Sequence, residues 1–270
     1  VRTDFVTDQT APGCGVLRVN GLRRVYRAPA GRQQSVVALD GVDLRVDPGQ
    51  RVGIVGSSGS GKSTLLRLLL ALESADAGEI VYDNRPIAPG GVRDLRWYRQ
   101  QVQYVPQDPA GSLDPRRRVA DLVAEPLRRL HVDVDHRARV AQVLAAVGLD
   151  ETFLLRRPHE LSGGQCQRVA IARALAPGAR MILADEPVSG LDLPLRQQVL
   201  AVLEQVCATV QTGLIIVTHD LSVVSRLCDR CVVMSEGRIV EDATTSDLLT
   251  RPTHPETRRL LGSIPRLLTA

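Results

Sequence analysis

The chain has 270 residues, 44% of them apolar, enough to bury a sizeable core in one large domain or in one domain with a subdomain. Its 34 basic and 30 acidic residues leave a net charge of +4, too mild to argue for nucleic acid by itself. No apolar run approaches the roughly 18 residues of a membrane span, and no secretory signal opens the chain.

In chain order, residues 1–15 are polar and hold Gly and Pro, which reads as a loose leader. Val16 to Tyr26 alternates as a strand, Ala28 to Gln34 reads as a loop, and Val36 to Val46 and Gln50 to Val55 read as further strands around an Asp47-Pro48-Gly49 turn. A helix is predicted from Lys62 to Leu72, then a short strand from Gly78 to Tyr82, a helical turn over Asp94 to Gln101 and a strand over Val102 to Pro106. Val119, Leu122, Val123 and Leu127, then Val140, Val143, Leu144 and Val147, carry helical spacing, so residues 108–178 read as a mostly helical insertion. From Arg180 the pattern alternates: strand Met181–Ala184, helix Pro194–Val210, strand Leu214–Thr218, helix Leu221–Leu227 and strand Cys231–Met234. Such alternation predicts a largely parallel sheet with helices on its faces. Thr244 to Thr250 and His254 to Leu261 read as closing helices.

Five cysteines, Cys14, Cys166, Cys207, Cys228 and Cys231, are too scattered and too odd in number for a disulfide framework, and point to a reducing compartment. Cys228 and Cys231 have C-x-x-C spacing without a second pair, and read as ordinary buried thiols rather than a redox or zinc site.

The chemistry starts at Gly56-Ser57-Ser58-Gly59-Ser60-Gly61-Lys62-Ser63-Thr64, a complete G-x-x-x-x-G-K-[ST] phosphate-binding loop between a strand and a helix. Its glycines let successive N–H groups face one anion, and the helix start adds partial positive charge. Lys62 is assigned to the β- and γ-phosphates of a nucleotide and Ser63 to Mg²⁺. All the basic residues but Lys62 are arginine, so the one compact ammonium is kept where a phosphate needs it. A chance glycine-rich turn does not account for strand, loop and helix in register. The apolar strand Met181–Ala184 ends in Asp185 and Glu186: beside a phosphate loop, Asp185 suits the metal and Glu186 a general base on water, whereas alone the pair reads as helix-capping acids. Ser162 and Gln165 form an S-x-x-Q capping box around Gly163 and Gly164, either a plain capped helix or a second anion-binding helix start.

With Leu161-Ser162-Gly163-Gly164-Gln165 the chain resembles the ATP-binding-cassette (ABC) ATPases, over roughly residues 16–262. The resemblance implies an α/β fold: a P-loop NTPase core with a largely parallel sheet, an N-terminal antiparallel β region and an inserted helical subdomain. It divides the chain into a leader (1–15), an ATP-binding core (16–107 and 179–250), a helical signature subdomain (108–178) and a C-terminal tail (251–270). It implies that two cassettes meet head to tail, with Ser162, Gly163, Gly164 and Gln165 reaching the γ-phosphate held by the other cassette. Gln107 resembles the glutamine that senses Mg²⁺ and the attacking water. Ser189-Gly190-Leu191-Asp192 resembles the D-loop at the dimer interface, and His219 the switch histidine on the γ-phosphate, although a lone His is more often structural. Tyr26 is the candidate for stacking on adenine, although a strand tyrosine is more often packing.

The stretch Gln107-Asp108-Pro109-Ala110-Gly111-Ser112-Leu113-Asp114-Pro115-Arg116, with Glu125-Pro126-Leu127, Pro158-His159-Glu160 before the signature, and the tail His254–Leu261 with Ile264-Pro265, is similar to oligopeptide, dipeptide and nickel importer ATPases. Cys166 in the signature resembles the second of their two ATPase subunits. Asp114 and Glu256 depart from that pattern, where Asn and Tyr are usual. Val1 in place of Met, and the lack of the usual cysteine-bearing extension, point to one half of a fused tandem ATPase. The resemblance implies ATP and Mg²⁺ as ligands. It implies a second cassette, two transmembrane permeases and an extracytoplasmic binding protein as partners, with no nucleic acid. Its place is the cytoplasmic face of the membrane, peripheral. The substrate expected is a peptide; a nickel or other-substrate transporter is the alternative, and a soluble cassette ATPase acting on ribosomes or DNA a remote one. Arg116, Arg117 and Arg118 read as a solvated face or a permease contact.

Overall fold

The computed structural model describes residues 15–27 and 35–262. The predicted leader apart from Gly15, the loop Ala28–Gln34, Cys14, and Ile264 and Pro265 of the tail lie outside the described residues. In chain order the strands are β1 (Leu17–Tyr26), β2 (Val36–Val46), β3 (Arg51–Val55), β4 (Ala77–Tyr82), β5 (Arg85–Ile87), β6 (Val102–Val105), β7 (Met181–Asp185), β8 (Gly213–Val217), β9 (Arg230–Ser235) and β10 (Arg238–Thr244). The helices are α1 (Lys62–Leu69), α2 (Arg96–Gln101), α3 (Pro109–Ser112), α4 (Val119–Leu130), α5 (His136–Ala146), α6 (Gly163–Leu175), α7 (Leu193–Val210), α8 (Leu221–Leu227), α9 (Thr245–Thr250) and α10 (Pro255–Gly262). They group into two compact units, residues 16–89 with the described residues from 215 onward, and residues 90–214. Strand β8 runs across that division. No helix among the described residues is long and apolar enough to cross a membrane.

The first unit contains an antiparallel sheet of order β2-β1-β4-β5. Its first strand buries one face as a half-buried sheet requires: Leu17, Val19 and, past a bulge that shifts the alternation, Leu22 of β1 are buried while Arg18 carries its charge outward to Asn84. Strand β3 is different. Val52 to Val55 are buried throughout, and β3 pairs in parallel with β9, itself buried from Cys231 to Met234. Antiparallel β10 joins β9 through the two-residue turn Glu236-Gly237, both at positive φ, as Asp83-Asn84 joins β4 to β5. Sequence reading passed over β5 and β10, although both turns carry hairpin chemistry. Cys228 and Cys231 are buried and in no disulfide, and burial pushes the Cys231 thiol up to about 12, so it is no ready nucleophile.

Helix α1 ends three residues before the predicted Leu72. Its C-terminus closes with the Leu72 N–H on Arg67 O and the Ala71 N–H on Leu68 O, and Ala71 takes the left-handed φ of 51° that usually selects glycine. Four leucines of α1 are buried, so packing outweighs the unfavourable C-cap residue.

The second unit is mainly helical, with β6 and β7 paired in parallel. The apolar residues predicted by spacing are the buried ones: Val119, Leu122, Val123 and Leu127 on α4, and Val140, Val143 and Leu144 on α5. Helix α6, rich in Ala, Val and Ile, is almost wholly buried beyond its first turn. Arg139 of α5 caps its end, donating from Nε to Ala176 O (2.9 Å) and from Nη2 to Leu175 O (3.0 Å).

In the tail, the Glu241 carboxylate of β10 accepts the N–H groups of Thr253 (2.8 Å) and His254 (3.0 Å) and the hydroxyl of Thr257 (2.5 Å). Burial alone would raise this carboxyl; the bonds from Thr253, Thr257 and His254 overcome it and draw it down to about 2. A depressed pKa contributes stability above the unfolded value, near 4.3, that is lost as pH falls toward 2. The wild-type melting temperature is therefore expected to fall more steeply between about pH 4.5 and pH 2 than that of Glu241→Gln; equal slopes would contradict the latch.

Candidate functional site

The phosphate loop lies in the first unit, between β3 and α1. Gly56 and Gly61 have no room for a side chain: a Cβ on Gly56 would lie 2.3 Å from Met234 O, and one on Gly61 2.5 Å from Ala38 O, where φ is 104°. Lys62 folds back over the loop, its Nζ donating to Gly56 O (2.7 Å), Ser57 O (2.8 Å) and Ser60 Oγ (3.2 Å). Helix α1 begins at Lys62 with no side-chain cap and no acidic residue in its first turn, so its N–H groups keep their capacity for an anion. Ser57 is half-buried, Ser58, Gly59 and Ser63 are exposed, and Ser60 and Thr64 are buried. The Gly237 N–H of the β9–β10 turn donates to Ser60 O (3.1 Å), while Gly237 O accepts from the Asp40 N–H (2.9 Å). This buttress of the loop was missed in the sequence; its signal was the Glu-Gly turn.

Two further candidates belong to the same unit. His219 is exposed just after β8, between Thr218, whose N–H donates to Ile54 O (3.1 Å), and Asp220, which caps α8. Tyr26 ends β1 half-buried, with its hydroxyl on Glu73 Oε2 (2.7 Å) and the Arg24 guanidinium 5.0 Å from its ring centre.

In the second unit, Asp185 and Glu186 are half-buried at the end of β7, and Glu186 holds a left-handed φ of 44°. A non-glycine residue there carries strain of about 1–3 kcal/mol, which no sequence pattern announces. Neither carboxylate caps the next helix; Asp192 does, accepting the Leu195 N–H (3.0 Å). Ser189 donates its N–H to Glu186 O (3.0 Å), and Ser189, Gly190 and Asp192 are exposed.

The predicted capping box is present at α6. Ser162 Oγ accepts the Gln165 N–H (3.3 Å), and Gln165 Oε1 accepts the Ser162 N–H (2.9 Å). The signature and the 189–192 turn are brought together: a Cβ on Gly163 would lie 3.5 Å from Leu191 Cδ2, and one on Gly164 3.0 Å from Leu195 Cδ2. Cys166, next along α6, is buried, and burial raises its thiol. Gln107 is exposed after β6, and Asp108 then caps α3 by accepting the Gly111 N–H (2.9 Å). Arg173 of α6 donates to Ser112 O (3.0 Å) and Ser112 Oγ (3.1 Å), tying this segment to the signature helix.

No group of three or more His, Cys, Asp or Glu side chains among the described residues is arranged to hold a metal. The candidate donors Ser63, Gln107 and Asp185 are all hard oxygens, which suit Mg²⁺ shared with phosphate and water rather than a soft metal.

The family model for ABC transporters matches residues 39–189, more than half of the chain. The oligopeptide transport ATP-binding protein OppF of Lactococcus lactis subsp. lactis is 40% identical over 235 residues, 86% of this chain and 74% of that protein. OppF of Escherichia coli K12 is 39% identical over 259 residues, 93% of this chain and 78% of that protein. Among solved structures, the ATP-binding cassette MJ0796, a dimer in a post-hydrolysis state bound to ADP and Pi, superposes with a TM-score of 0.75 at 29% identity, over 85% of this chain and 98% of its own. The cbiO1 protein of Clostridium perfringens, part of the ABC transporter complex cbiONQ, gives 0.76 at 28% identity over 93% and 96%. With a phosphate loop, a capped glycine signature and these matches along its length, the chain belongs to the ABC transporter family.

Proposed function

We propose that this chain is the ATP-hydrolysing subunit of an importer, powering uptake of oligopeptides or dipeptides across the cytoplasmic membrane from its inner face. One observation supports the reading: one chain carries both the Lys62 phosphate loop, opening an uncapped helix, and the Ser162–Gln165 signature, opening a second helix with its own capping box. The peptide substrate draws its support from the relatives named oligopeptide transport ATP-binding proteins.

In this reading the loop from Gly56 to Thr64 holds the phosphates, Lys62 lies on the β- and γ-oxygens, and Tyr26 stacks on adenine. Glu186 accepts a proton from the attacking water as the water oxygen bonds to the γ-phosphorus and the bond from that phosphorus to the β–γ bridging oxygen breaks, leaving ADP and phosphate, while His219 steadies the γ-oxygens. The signature residues Ser162, Gly163, Gly164 and Gln165 serve the nucleotide of a second cassette, and Ser189, Gly190, Leu191 and Asp192 face that partner. Ser63, Asp185 and Gln107 would hold Mg²⁺, which would supply charge neutralisation on the phosphate oxygens. Closure of two cassettes on two nucleotides is driven by binding energy and released by hydrolysis. Two permeases and an extracytoplasmic binding protein complete the machine and select the substrate.

The test is affinity purification of the native protein from detergent-solubilised membranes, with mass spectrometry of its partners. Two multi-span permeases and a peptide-binding protein are expected. Recovery with ribosomes or DNA in the soluble fraction would overturn the transport reading and leave the ATPase chemistry standing.

A further inference from the structure

We infer that Glu73 is a positioning residue for the base end of the nucleotide site, holding the Tyr26 ring in one orientation through its hydroxyl. The inference rests on the reading of Tyr26 as the adenine-stacking residue. Stacking needs only the face of an aromatic ring, so phenylalanine would serve as well. Here the hydroxyl is engaged: it donates to Glu73 Oε2 at 2.7 Å, a charge-assisted bond between two half-buried side chains. The same carboxylate receives Arg24 Nη2 at 3.4 Å and lies 3.6 Å from Arg67 Nη1. Arg24 in turn spreads over the Tyr26 ring and reaches Asp76 at 3.6 Å. Asp76 is itself fixed, its carboxylate accepting the Val25 N–H (2.7 Å) and its N–H donating to Arg23 O (2.9 Å). The ring is thus gripped at its tip by Glu73 and on one face by Arg24, so a base would have to stack on the other face.

Glu73 follows directly on the closing turn of α1, whose first residue is Lys62. Eight helical residues span about 12 Å, so one rigid helix holds the phosphate contact at its start and leads to the base-end anchor just past its close. A strand-end tyrosine without the anchor would sample several rotamers and pay to order one of them when the base arrives. Preorganisation removes that cost from binding.

The experiment compares AMP-PNP with inorganic tripolyphosphate, which lacks the base, on the full chain, with ATP turnover measured alongside. Glu73→Gln and Tyr26→Phe are each expected to weaken AMP-PNP binding about three- to tenfold, the scale of one charge-assisted bond on a part-exposed ring. The double variant is expected to be no worse than Tyr26→Phe alone, because the Glu73 charge acts through the hydroxyl that Tyr26→Phe removes. Tripolyphosphate affinity stays within twofold, and Glu73→Gln raises the KM for ATP while kcat falls by less than twofold. Equal weakening of both ligands, or no weakening of AMP-PNP by Glu73→Gln, overturns the inference. Tyr26→Ala separates the two readings. If it leaves AMP-PNP affinity untouched, the stacking assignment fails and the positioning role falls with it. If it weakens AMP-PNP while Glu73→Gln and Tyr26→Phe do not, only the role of Glu73 is lost.

Discussion

Glu186→Gln is expected to lose at least about a hundredfold in ATP turnover while still binding nucleotide. The glutamine amide keeps the shape of the side chain but cannot take a proton from water, and general-base catalysis contributes about 10²–10⁴-fold. The variant is expected to accumulate as a nucleotide-bound closed dimer, read by size-exclusion chromatography in ATP. The backbone gives a second, independent readout. Glu186 stands at a φ of 44°, a conformation that costs a non-glycine residue free energy. Glu186→Gln keeps that strain and should melt as the wild type does. Glu186→Gly should relieve roughly 1 kcal/mol and melt about 2–4 °C higher, although it is equally inactive. A residue whose removal raises stability and abolishes turnover is held in place for function. Rapid hydrolysis by Glu186→Gln would remove the general-base assignment.

Lys62→Ala is the second large effect. The ammonium holds three oxygens of its own loop, Gly56 O, Ser57 O and Ser60 Oγ, and is the only lysine of the chain. Its loss removes the strap across the loop and, in the proposed reading, the cation beside the phosphates. A fall of at least about a hundredfold in kcat/KM, ~2.7 kcal/mol of transition-state stabilisation, is expected. Lys62→Arg discriminates more sharply. It preserves charge but replaces a rotatable point donor with a longer planar fork that cannot direct hydrogens at the same three oxygens. It is expected to lose nearly as much as alanine. Steady-state kinetics check both variants; near-normal activity of Lys62→Arg would reduce the role of Lys62 to charge alone.

What could be read from the chain beforehand was local. The phosphate loop and the capping box at Ser162 and Gln165 are contiguous, and their chemistry follows from spacing over a few residues. The α4 and α5 faces follow from helical periodicity in the same way. The features missed depend on distant or conformational facts. Glu73 and Tyr26 are far apart in sequence and meet only because β1 passes the closing turn of α1. The left-handed backbone at Glu186 has no residue-type signature, since a carboxylate gives no sign that it is strained. The overlong prediction for α1 came from leucine periodicity running on through Leu72, where the left-handed turn at Ala71 ends the helix without a glycine to mark it. Strands β5 and β10 were legible through the Asp83-Asn84 and Glu236-Gly237 turns, but their exposed, charged edges weakened the apolar pattern on which the strand reading relied.

ATP-dependent uptake of a labelled oligopeptide tests the account most directly. The native transporter is purified with this chain in place and reconstituted in proteoliposomes with its extracytoplasmic binding protein. The account predicts peptide accumulation that requires ATP on the face carrying this chain and collapses when the chain bears Glu186→Gln. Uptake indifferent to Glu186→Gln, or a complex that hydrolyses ATP through this chain and moves no peptide, would contradict it.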